Sequence, residues 1–177
     1  YACRIDGHTT GRVVKRLNLS GGSTTLNDRF SVLSIAATNV DTFAGYRGSD
    51  SHGSSPFTAT GVREGAIGLF ASDIDFGYAA FSDDQHVFDA LNLDLTSTGF
   101  AGLGDILTAT LEDVSIGRNA GRRTHDERLA AIDFQQSFGA AGYTLSTPGG
   151  TVSLTHTEAI QHVSVDVGRA ELSLAGF

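Results

Sequence analysis

Ala37-Thr38-Asn39-Val40-Asp41 recurs as Ala71-Ser72-Asp73-Ile74-Asp75 and again as Ala90-Leu91-Asn92-Leu93-Asp94. The pattern is alanine, any residue, Asn or Asp, an aliphatic residue, then Asp. A looser copy, Ala109-Thr110-Leu111-Glu112-Asp113-Val114, fits with a one-residue insertion. A small Ala packs inside a crowded core, and Asn or Asp tolerates a left-handed backbone while bonding its own chain. The aliphatic residue then points inward and the following Asp outward, as strand alternation requires. The motif therefore reads as a strand, a corner and another strand. Stacked solenoid coils are built this way, and so is a sandwich of bulged strands.

Period-two alternation extends beyond the motif. Leu91, Leu93 and Leu95 alternate with Asn92, Asp94 and Thr96. Val152 and Leu154 alternate with Thr and Ser, and Val163, Val165 and Val167 alternate with Ser164, Asp166 and Gly168. Leu172 and Leu174 continue the pattern near the end. This is the signature of half-buried strands. Helix is expected at most once, between Thr124 and Gln136, where Leu129 and Ile132 follow a Thr124–Glu127 capping-box pattern. The expected fold class is all-β: a β-solenoid-like stack of short strands with Gly/Asn/Asp corners, or alternatively a β-sandwich, with at most one short helix.

Glycine punctuates the strands at Ser20-Gly21-Gly22-Ser23, Gly45 to Gly53, Gly99 to Gly104 and Pro148-Gly149-Gly150. With 22 Gly against two Pro, these read as tight turns rather than flexible linkers. The first of them separates the weakly patterned Tyr1 to Leu19 from the patterned body; residues 1–29 are read as a linker, a cap or a donated strand, ahead of a β-rich repeat module over 30–177. The chain begins at Tyr1 rather than Met and so reads as a mature or excised segment.

A net charge of −8 argues against nucleic acid, which demands a clustered Lys/Arg footprint. Arg118, Arg122, Arg123 and Arg128 are the one basic cluster, and Asp126 and Glu127 interrupt it, so a solvated turn is expected there. A single cysteine, Cys3, excludes an internal disulfide framework. No apolar run is long enough for a transmembrane helix.

The chain resembles the tandem β-rich modules of very large secreted or cell-surface bacterial proteins of the adhesin kind. The resemblance runs from Phe30 to Phe177. It is carried by Phe30 to Gly45, Ile67 to Phe81, Ile132-Asp133-Phe134 and the ending Ala170-Glu171-Leu172-Ser173-Leu174-Ala175-Gly176-Phe177. It implies an extracellular or cell-surface scaffold and transfers no catalytic residue.

Candidate chemistry is sparse. Asp83, Asp84 and Asp89 cluster near a turn and are the candidate calcium ligands, with Ser49, Asp50 and Ser51 at another turn. Neither the EF-hand pattern nor the nonapeptide calcium repeat is present; Gly102-Leu103-Gly104-Asp105 is a fragment of the latter. Turn chemistry explains the same residues. His8, His52, His86, His125, His156 and His162 are scattered, although on strands His156, Glu158 and His162 would share one face and form a candidate zinc site. Asp41, Asp75 and Asp94 would form a ladder if the repeats stack, and like charges in a ladder require solvent or a cation. No nucleophile elbow, phosphate loop or dinucleotide fingerprint is present.

The expected function is a non-catalytic structural module of an extracellular bacterial assembly (a filament, surface layer or giant adhesin). It would act through contacts with neighbouring copies or adjacent modules. The alternatives are a calcium-stabilised adhesin domain binding glycan or protein, and a polysaccharide lyase or hydrolase. Calcium is the leading candidate cofactor, and none is required by the sequence.

Overall fold

The computed structural model describes residues 6–8, 13–22, 24–46, 57–58, 61–62, 65–102, 107–123 and 128–174. The chain is all-β, with one single-turn helix among the described residues. Two short strands, β1 (Asp6–His8) and β2 (Val13–Val14), are followed by a small hairpin, β3 (Leu17–Asn18) with β4 (Thr25–Leu26). The first long strand is β5 (Phe30–Tyr46); β6 (Phe57–Thr58) and β7 (Gly61–Val62) pair with each other. Three long strands come next: β8 (Ile67–Ser82), β9 (His86–Ala101) and β10 (Leu107–Arg123). After β11 (Arg128–Leu129) and α1 (Phe134–Phe138) come the hairpin β12 (Tyr143–Thr147) and β13 (Gly150–Leu154), then a last long strand, β14 (Ile160–Leu174).

Eight of these strands form one sheet among the described residues, in the order β1-β5-β8-β9-β10-β11, with β2 also on β5 and β14 also on β10. β1 and β2 both run antiparallel to β5, at residues 34–36 and 30–31 respectively. Consecutive long strands are neighbours, and the turn at 83–85 closes β8 onto β9 as a hairpin. Stacked solenoid coils are not what these pairings show. The strands are also longer than the short ones expected, because the pentapeptide motif interrupts a strand's conformation without ending the strand.

That interruption is visible in the backbone. Among the described residues, the non-glycine positions with positive φ are Asn39, Asp73 and Asp113, at 54°, 53° and 52°. Each lies inside a long strand, where one left-handed residue breaks the regular extended backbone. Asn39 and Asp73 hold the third position of the first two motif copies. Asn92, the equivalent in the third copy, has no positive φ, whereas Asp113 of the looser copy does. The structural repeat is therefore the trio 39, 73 and 113. Asn and Asp suit it because they occupy the left-handed region at lower cost than other side chains.

The chain divides into two compact units. The first comprises Tyr1–Thr38, Asp75–Leu93 and Ile116–Val165, and the second Asn39–Ile74, Asp94–Ser115 and Asp166–Phe177. The first holds the hydrophobic core: Leu17, Leu19, Phe30, Val32, Phe81, Phe88, Ile132, Phe134, Tyr143, Leu145 and Leu154 are all buried within one cluster. Its aromatic centre is edge-to-face, with Phe81 5.9 Å from Phe134 and 5.3 Å from Tyr143, and Phe30 6.1 Å from Phe88. The β12–β13 hairpin packs on β8 at Gly77, where a Cβ would come within 2.7 Å of Val152. Residues 1–29 contribute β1 and β2 to the sheet and Leu17 and Leu19 to this core.

The helix differs from the sequence expectation. α1 starts at Phe134, and its N-cap is Asp133, whose carboxylate accepts from the Gln136 N–H at 2.8 Å. Leu129 lies in β11 opposite Gly121, and Ile132 bridges to Leu19. The three-residue spacing of Leu129 and Ile132 is thus satisfied by pairing rather than by a helical face. Thr124 to Glu127 lie outside the described residues.

The second unit is built differently. Its buried hydrophobic residues, among those described, are Ala66 and Val114, while Tyr46, Ile67, Leu69, Leu111, Val167, Leu172 and Leu174 are exposed.

Candidate functional site: polar clusters and an exposed sheet edge

The β8–β9 turn is organised by Asp83. Its Oδ1 accepts from the backbone N–H of Gln85 at 2.7 Å and of His86 at 2.6 Å, and the His86 ring nitrogen Nδ1 lies 3.0 Å from Oδ2. Burial alone would raise this carboxyl's pKa. The His86 side-chain bond, the two backbone bonds and the His86 charge outweigh it and hold the group below its ordinary value. His86 is itself buried, stacked on Phe88 at 6.2 Å and tilted against Phe30.

Asp89 lies on β9 and is paired with Arg118 of β10, whose Nε reaches its Oδ2 at 2.5 Å. The same guanidinium donates to the Gln161 carbonyl at 3.0 Å. The Asp89 hydrogen bond holds Arg118 still more firmly charged. Burial, followed by the Asp89 charge, pushes the Tyr78 hydroxyl up.

The three candidate calcium ligands are therefore divided. Asp83 is committed to its turn and Asp89 to Arg118, and Asp84 is exposed beside the turn. Among the described residues, no three His, Cys, Asp or Glu side chains converge as a metal site. Ser49, Asp50, Ser51, Asp105 and Cys3 lie outside the described residues.

The expected zinc face is not formed, because residues 155–159 are not strand. His156 lies 3.0 Å from the Leu91 carbonyl through Nε2, Glu158 offers its backbone carbonyl to the Asn119 amide, and His162 is exposed on β14. Asn119 itself is a site that the sequence does not reveal. It is fully buried, and its Nδ2 donates to the Ile132 and Glu158 carbonyls at 2.8 and 2.9 Å. A lone Asn in an alternating strand carries no signal of that role.

The acidic ladder takes another form. Of its expected members, Asp41 accepts from the Asp73 N–H at 2.9 Å and Asp94 accepts from the Ser115 hydroxyl at 2.6 Å; Asp73, two positions before Asp75 and outside the expected ladder, accepts from the Thr96 hydroxyl at 2.9 Å. Donors from the neighbouring strands meet these carboxylates. Among the basic residues, Arg122 and Arg128 sit opposite each other across β10 and β11.

Two surfaces among the described residues are accessible to a partner. The first is an open pocket of about 440 Å³ lined by Asp28, Arg29, Ser31, Ser82, Asp83, Asp84 and Gln85. The second is β14. Its strand partner among the described residues is β10, and its residues from 165 to 174 are all exposed. In the first unit it exposes Val163 and Val165, and in the second Val167, Leu172 and Leu174. No helix among the described residues is long and apolar enough to cross a membrane. No family model, curated protein or solved structure matches the chain.

Proposed function

We propose that the chain is a non-catalytic structural module of an extracellular bacterial assembly, working through contacts with neighbouring copies or adjacent modules. The observation that carries this reading is β14, a 15-residue strand at the edge of the sheet among the described residues, with exposed apolar side chains. Such an edge presents a row of backbone donors and acceptors that favours the addition of another strand. The second unit, whose buried hydrophobic residues among those described are Ala66 and Val114, supports the same reading. In this reading the open strand edges, rather than the ends of solenoid coils, are the polymerising surfaces. The extracellular setting rests on the resemblance to giant bacterial surface proteins.

Electron microscopy and sedimentation of the purified chain test it. Ordered oligomers or filaments that grow with concentration are expected; monomers alone at every concentration, salt and calcium level would overturn it.

A second reading is favoured by the pocket between Asp28 and Gln85. Its polar side chains suit the hydroxyls of a saccharide, which fits an adhesin domain that binds glycan. A glycan array probed with the wild-type chain and with Arg29→Ala decides it: binding lost in the variant supports the pocket, and binding to no glycan removes the reading.

A further inference from the structure

We propose that the outer edge of β14 pairs antiparallel with the same edge of a second copy of this chain, about a two-fold axis at Ala170. The proposal rests on the structural-module reading and names its partner. It concerns residues 167–173, all of the second unit and all exposed.

Opposite residues in an antiparallel pair share a face. A two-fold axis must therefore pass through a residue that pairs with itself. With Ala170 on the axis, Arg169 lies opposite the second copy's Glu171, and Glu171 opposite the second copy's Arg169. Charge complementarity is thus satisfied twice. Within one chain Arg169 already bonds Glu171 and reaches Glu112 at 3.4 Å, so these side chains share a face. The guanidinium has five N–H donors, enough to serve its own carboxylates and the second copy's together.

The other face fits as well. Leu172, 70 % exposed, lies opposite the second copy's Gly168, which has no side chain to obstruct it. Val167 lies opposite Ser173 on the Arg169 face. Moving the axis to Val167 sets Val165 opposite Arg169 and Val163 opposite Glu171, so both charges face valines. The Ala170 register is the one that matches charge with charge. At roughly 3.4 Å per residue the ladder over 166–174 is about 30 Å long, shorter than a permanent interface needs. The dimer is accordingly weak, and added salt weakens it further.

Cross-linking captures a weak pair. In a Cys3→Ala background, Ala170→Cys is expected to form a disulfide-linked dimer under mild oxidation, because the two Cβ atoms face each other. Leu174→Cys, far from the axis, is expected to remain monomeric. By sedimentation, Arg169→Glu and Glu171→Arg should each weaken association about tenfold, and the doubly swapped R169E/E171R chain should restore it. Wild-type association that ignores the single substitutions, or that the swap fails to restore, overturns this edge and leaves the structural-module reading standing. A chain that stays monomeric throughout and forms no Ala170→Cys cross-link overturns both.

Discussion

Asn39, Asp73 and Asp113 hold nearly the same left-handed φ inside three different strands. A β-branched side chain there meets the backbone, whereas glycine does not. Asn39→Val is therefore expected to lower stability by about 1–3 kcal/mol and Asn39→Gly to cost clearly less, as measured by urea unfolding. Equal costs for the two would show that the left-handed backbone is not what selects Asn. Asp83 carries a second prediction at this scale. Its folded pKa lies below the unfolded 3.8, so its contribution is fully present above that value and is lost as pH falls through the folded one. Asp83→Asn should cost about 1–2 kcal/mol at neutral pH, with the difference from wild type shrinking below about pH 4. A pH-independent difference would mean that the carboxylate's charge is not involved.

The elements show how much of the fold is legible in the sequence. Alternation marks β9, β13 and β14 as strands, because the two-residue period needs only local residues. The left-handed corner is legible at Asn39 and Asp73 but not at Asn92, since the same residues in an unbroken strand produce the same letters. The helix is displaced from its expected place because Leu129 and Ile132 owe their positions to β10 and Leu19, partners distant in sequence. The candidate calcium ligands are legible as a turn, but not the neighbours that occupy them: the Arg118 that takes Asp89 lies 29 positions away. Nor does alternation reveal that β14 is exposed on both faces, because exposure depends on which strands lie beside it. Asp133, by contrast, is a local signal that the sequence does carry. Asp133→Ala removes the bond to the Gln136 N–H and is expected to cost about 1 kcal/mol by thermal or urea unfolding. No loss would mean that α1 is held by Phe134 and its packing alone.

At the scale of the whole molecule, stability is expected to be uneven. The first unit buries Phe30, Phe81, Phe88 and Phe134 completely, and Phe81→Ala should cost about 3–5 kcal/mol. In the second unit Leu69, Leu111 and Leu172 are exposed, so their replacement by Ala should change the monomer's stability by less than about 0.5 kcal/mol. The long strands pass from one unit to the other, so a single strand samples both environments. Hydrogen exchange resolved along β8 and β9 provides the decisive measurement. Amides at 75–82 and 86–93 should exchange only through near-global opening, and those at 67–74 and 94–101 through smaller local openings. Raising the concentration should slow exchange in the second unit, and first along β14 at 167–173, because a partner covers the exposed Val167, Leu172 and Leu174. Uniform protection along β8 and β9 in dilute solution would show that the second unit is stable without a partner, and the case for a docking edge would lose its energetic basis.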